Sequence, residues 1–147
     1  MSTIQSVISP GERTSNLVPL LTRPNTEEIA ALALEAARAA SDKKATDPVI
    51  LEVGNVLAIC DYFVIASAPN DRLVRAICEE VEERVKQVGG GAPRFIEGLS
   101  DARWVLMDYG DWIVHVFLDE AREFYDLERL WGDVPRLPFD EMVERAQ

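Results

Sequence analysis

The chain has one histidine, two cysteines and a shortage of bases: 15 Lys and Arg stand against 26 Asp and Glu, giving a formal net charge of −11. Each shortage excludes something. Cys60 and Cys78 lie far apart, with no C-x-x-C, which argues against a disulfide framework and a cysteine zinc site and predicts two buried, reduced thiols. His115 would have to serve any Ser–His or Cys–His nucleophile. Ser67 and Ser100 lack a G-x-S-x-G elbow, and Cys78 falls on an apolar helical stripe, so a nucleophilic hydrolase is disfavoured. The missing bases set the chain against broad contact with phosphate backbones; a basic protein partner suits it better, although the same charge would also serve solubility. No apolar run approaches the length needed to span a bilayer.

What is present suffices for one domain. Of 147 residues, 48% are apolar, enough for one packed core and hard to divide between two. Residues 1–24 differ from the rest: Pro10, Pro19 and Pro24 interrupt any helix, and Leu17-Val18-Pro19-Leu20-Leu21 is too short and broken for a signal-peptide core. Their Ser-rich, acid-poor character is shared with organelle transit peptides, but a flexible N-terminal extension accounts for it better.

The folded part is expected to begin at Asn25, a helix cap with Glu28 closing the box. Ile29, Leu32, Ala33, Ala36, Ala37 and Ala40 follow at helical spacing, an alanine stripe that predicts close packing. Strands are expected at Pro48–Val53 and Asp61–Ser67, the second apolar throughout and so covered on both faces. Asn70 caps a helix with Val74, Ile77, Val81, Val85 and Val88 inward, released at Gly89. Strands at Arg94–Glu97, Arg103–Tyr109 and Trp112–Leu118 come next, the last two a hairpin about Gly110-Asp111. A final helix from Asp119 to Gly132 would turn Ala121, Phe124, Leu127, Leu130 and Trp131 inward. This order implies an α/β fold with a mixed sheet of about five strands flanked by helices.

Two constellations invite chemistry and do not carry it. Gly89-Gly90-Gly91 follows a helix and precedes Ala92-Pro93, whereas a phosphate loop follows a strand and opens a helix. Asp108, Asp111 and His115 could be drawn as a metal site, but the two aspartates flank a hairpin glycine, where Asp serves the turn. Alternation places His115 with Ile113 and Phe117, as a half-buried, hydrogen-bonded imidazole. No metal or cofactor is implied.

Several segments resemble the ribosomal silencing factor family, the Iojap-like or RsfS group. They are Asp61-Tyr62-Phe63-Val64-Ile65, Arg94–Gly98, Arg103-Trp104-Val105-Leu106-Met107-Asp108-Tyr109-Gly110-Asp111, His115-Val116-Phe117 and Arg122–Asp133. The likeness runs from Asn25 to Asp133, so the expected organisation is an extension (1–24), a family domain (25–133) and a tail (134–147). Departures are Cys60, where small residues are usual, the extension and the tail.

The resemblance implies a cytoplasmic, ribosome-associated repressor of translation rather than an enzyme. Family members bind large-subunit ribosomal protein fourteen, block joining of the small subunit when nutrients are scarce, and often form homodimers off the ribosome. The implied topology is nucleotidyltransferase-like. A nucleotidyltransferase-like enzyme or nucleotide-binding protein is the alternative, but Ser67-Ala68-Pro69 stands where a transferase needs Gly-Ser, and no D-x-D pair follows.

On the 103–109 strand, alternation sends Trp104, Leu106 and Asp108 to one face and Val105, Met107 and Tyr109 to the other. The resemblance assigns the first set to the partner, with Glu97 and Asp101 as nearby acids in a charged rim. The competing reading makes Trp104 a core aromatic. Trp131, at the end of an apolar stripe, is expected to pack rather than to contact a partner.

Overall fold

The computed structural model describes residues 26–58 and 60–139; the 1–24 extension, the Asn25 cap and residues 140–147 lie outside them. In chain order the elements are α1 (Thr26–Asp42), β1 (Thr46–Glu52), β2 (Tyr62–Ala68), α2 (Asp71–Gln87), β3 (Phe95–Glu97), β4 (Trp104–Asp108), β5 (Trp112–Leu118), α3 (Asp119–Tyr125) and α4 (Leu127–Leu130). The strands form one sheet in the order β1-β2-β5-β4-β3. Only β2 and β5 run parallel, the other neighbours being antiparallel. This is the mixed five-stranded α/β sheet expected from the sequence.

One sheet face is closed by α1 and α2. Ala33, Ala36, Ala37, Ala39 and Ala40 of α1 are buried, and their small side chains let the helix lie close over the sheet. Asn70 caps α2 as expected, its Oδ1 accepting the Leu73 N–H at 2.8 Å. The helix is released at Gly89 (φ +93°). Arg84 ties the two helices by donating to Glu35 (3.0 Å) and Asp42 (2.8 Å) of α1 and to Glu80 (3.2 Å) of its own helix. Beneath them lie Ile50, Val64, Ala66, Val105, Met107, Val114 and Val116. All of β2 is buried, as its unbroken apolar run requires.

The opposite face is only partly roofed. Val49, Leu51, Val53, Phe63, Ile65 and Phe117 form a second core against Ala121, with Leu127, Trp131 and Val134 packed on it. Residues 134–139, set off as tail on the sequence, return along β1. The Glu52 N–H donates to the Pro135 carbonyl (2.8 Å) and the Leu137 N–H to that of Ile50 (2.9 Å). This covers an edge that would otherwise expose unpaired backbone groups.

The final helix needs correction. Asp126 adopts a left-handed conformation (φ 50°, ψ 50°) and splits it into α3 and α4. The break resets the helical phase after Asp126, and within α3 only Ala121 is buried. Ala121 is buried, and Trp131 packs edge-on against Phe63 at 5.6 Å, as expected. Phe124 and Leu130, expected inside, are instead 78% and 76% exposed. Arg122 holds the broken segment. Its guanidinium donates to the carbonyls of Thr46 and Asp47 (both 2.8 Å), to Ser67 Oγ (3.0 Å) and to Glu128 (3.0 and 3.1 Å).

Candidate docking face

The part of the second face left unroofed lies over β4 and β3. Val105 and Met107 are fully buried under the helices, so Trp104, Leu106 and Asp108 necessarily point the other way, and all three are half-buried. Pairing register extends the strip: Glu97 stands opposite Leu106 and Phe95 opposite Asp108. Directly opposed residues share a face, so Phe95, 45% exposed, and Glu97, also exposed, join the same surface. Opposite Asp108 on β5 is Ile113, half-buried.

Trp104 anchors the strip. Its ring lies 5.0 Å from Phe117 and 4.8 Å from Tyr125, and its indole N–H donates to His115 Nδ1 at 3.1 Å. Tyr125 in turn meets exposed Phe124 at 5.1 Å. An aromatic row therefore runs from α3 onto the open strands. Trp104 is half-buried: it packs against the second core and is in part exposed.

Of the residues singled out on the sequence, Trp104, Leu106, Asp108 and Glu97 come together. Asp101 does not join them on the strands. It sits exposed in the turn before β4, beside a groove with Pro69, Asn70, Asp71, Leu118, Asp119 and Glu120. Phe95 and Tyr125 were missed. Alternation along β3 puts Phe95 on the face of Glu97, and helical spacing puts Tyr125 one turn beyond Ala121.

The side chains considered for chemistry are occupied elsewhere. Asp108 Oδ1 accepts the Gly110 N–H at 2.7 Å, the turn role expected of it. His115 is buried more deeply than expected, 4% exposed, and burial pushes its pKa down to about 4. Ser67 is buried, with its hydroxyl bound to Arg122. Cys60 and Cys78 are free and buried, as expected, and burial pushes both thiols up to about 12. Among the described residues no three His, Cys, Asp or Glu side chains group so as to hold a metal ion. Nor is any described helix long and apolar enough to cross a membrane.

A concavity of about 560 Å³ lies elsewhere, lined by α1 residues including Leu32 and Glu35 and by Val88–Gly90. The open strip is instead a sheet surface carrying aromatic side chains and flanked by acids. The chain is a small α/β protein whose five-stranded sheet carries this half-open strip on one face.

Comparison with known proteins supplies the family. Residues 26–147 match the family model described as "Ribosomal silencing factor during starvation", and the chain belongs to that family. The ribosomal silencing factor RsfS of Bacillus subtilis is 40% identical over 105 residues, 71% of this chain and 88% of its own. That of Halalkalibacterium halodurans is 39% identical over 108 residues, 74% of this chain and 92% of its own. More distant relatives include maize "Protein Iojap, chloroplastic", 31% identical over 83% of this chain and 54% of its own. The mouse protein named "Mitochondrial assembly of ribosomal large subunit protein 1" is 31% identical over 60% of this chain and 40% of its own. A crystal structure from Chromobacterium violaceum superposes with a TM-score of 0.68 at 31% identity, covering 76% of this chain and 92% of that one. One from Bacillus halodurans gives 0.62 at 36%, covering 78% and 100%.

Proposed function

We propose that this chain is a non-catalytic repressor of translation that docks on the large ribosomal subunit through ribosomal protein fourteen and blocks joining of the small subunit. The carrying observation is the unroofed strip: a sheet whose helix-side centre is buried leaves Trp104, Leu106 and Phe95 in part open to solvent on the other face, between Glu97 and Asp108. A central aromatic inside a charged rim is the energetic layout of a protein interface. The net charge of −11 suits a basic ribosomal protein and disfavours direct contact with ribosomal RNA.

Occlusion needs no chemical step: the bound domain fills volume that the small subunit would occupy. Sites on cytoplasmic ribosomes, and action when nutrients are scarce, belong to the same reading. The test is sedimentation of tagged protein with purified ribosomal particles. Co-migration with free large subunits and exclusion from joined ribosomes is the expected result; migration with neither, or equally with both, would overturn the proposal.

A further inference from the structure

Trp104 has one hydrogen-bond donor, and it points into the protein. The indole N–H reaches His115 Nδ1 at 3.1 Å, diagonally across the β4–β5 ladder, in which Trp104 pairs with Phe117 and His115 with Leu106. His115 is buried and its low pKa keeps it neutral at ordinary pH. A neutral imidazole that accepts at Nδ1 carries its proton on Nε2. That Nε2 is buried with no hydrogen-bond partner among the described residues, and the ring stands edge-on to Phe63 at 4.7 Å. A buried unpaired donor costs folding stability, so packing alone would be served better by an apolar residue. What the imidazole does supply is an acceptor for Trp104.

We propose that His115 is a positioning residue of the docking face: by taking the indole N–H it fixes the Trp104 ring, which then offers only its carbon surface, and the partner group that lands there is a cationic side chain stacked on the ring. Glu97 and Asp108 lie on the same face and supply the matching negative charge. A hydrogen-bond acceptor on the partner has nothing to meet at this residue. The inference rests on the docking role of the Trp104 face proposed above, and it adds the chemistry of the contact.

The experiment is a double-variant cycle read as affinity for isolated large ribosomal subunits, with thermal melts alongside. Trp104→Phe keeps a ring but lacks the N–H and so the lock, and is expected to lose roughly the tenfold that removal of the acceptor costs. Trp104→Leu, apolar but without a π face, is expected to bind roughly tenfold more weakly again than Trp104→Phe. His115→Leu is expected to lose roughly tenfold in affinity while melting at or above the wild-type temperature, because a buried unpaired donor is gone. His115→Asn, which restores an acceptor, is expected to recover binding. In the Trp104→Phe background His115→Leu should add nothing, since no indole N–H remains to hold.

An equal loss from His115→Leu in both backgrounds would make His115 merely structural and overturn the proposal. So would wild-type binding by His115→Leu. Trp104→Leu binding as well as Trp104→Phe would overturn the cationic contact. If Trp104→Ala binds like wild type, the docking role itself fails and this inference falls with it. Nitrogen NMR of the lone histidine, expected as the Nε2–H tautomer, together with slow exchange of the Trp104 indole N–H, reports separately whether the lock exists in the free protein.

Discussion

The two faces of the sheet obey different rules. Under α1 and α2 the central strand positions, Ile50, Val64, Ala66, Val105, Met107, Val114 and Val116, are apolar and buried, and the alanines of α1 let the helix lie close over them. Across the sheet, cover is graded. Trp131, Leu127 and Ala121 roof the β1, β2 and β5 side, and cover ends at Tyr125 beside Trp104. The first face answers only to folding. On the second, apolar side chains remain partly in water where one more helical turn would have hidden them. A fold that closes one face so thoroughly shows that the chain can bury apolar surface when burial is all that is needed.

That contrast can be broken residue by residue. Met107, fully buried three residues after Trp104 on the same strand, belongs wholly to the first face. Met107→Ala should cost about 2–5 kcal/mol of stability, visible in chemical denaturation, and any loss of ribosome binding should follow unfolding. A fully stable Met107→Ala would show the helix-side core to be less closely packed than described.

The next effect is pH-dependent and belongs to the seam between the faces. The folded pKa of His115, about 4, lies below its ordinary 6.5, so between these values the unfolded chain binds the extra proton. The resulting stability is whole above pH 6.5 and is lost as pH falls towards 4, in total about 3 kcal/mol. The stability difference between wild type and His115→Leu, followed from pH 7.5 to 4, should move by that amount against the wild type. A flat difference would mean that the imidazole is not buried as described.

The smallest effect concerns the rim. Glu97 is exposed on the strip, and Glu97→Gln should weaken large-subunit binding by less than about tenfold, with the loss shrinking as salt rises. A loss independent of salt would assign Glu97 a desolvated contact instead.

Much of this arrangement was legible in the sequence because it is local. Alternation in Trp104–Asp108 needs no tertiary information to separate Met107 from Leu106, and Asn70 and Gly89 mark the ends of α2 by backbone chemistry alone. The phase of β3 is equally readable: charge and nearness to Trp104 point to Glu97, and the same alternation also points to Phe95, two residues away. Nearness in sequence misled at Asp101, which belongs to a turn beside Asn70 and Glu120 rather than to the strip.

The break at Asp126 could not be read. The apolar spacing from Ala121 to Trp131 continues through it, and no glycine marks the left-handed residue. What holds the break is Arg122 reaching Thr46 and Asp47 some 75 positions earlier in the chain. A contact so distant in sequence leaves no periodic trace. The Trp104–His115 bond was invisible for a related reason: alternation puts both residues on one face but does not say that their nitrogens meet.

The central claim, that the open strip is a docking face rather than an unfinished core, is tested most directly by Trp104→Ala. Binding to large subunits, inhibition of subunit joining and thermal melting should be measured on the same preparation. Affinity should fall about thirty- to a thousand-fold, with joining no longer blocked and the protein still folded at the assay temperature. A variant that melts close to wild type and still blocks joining would contradict it.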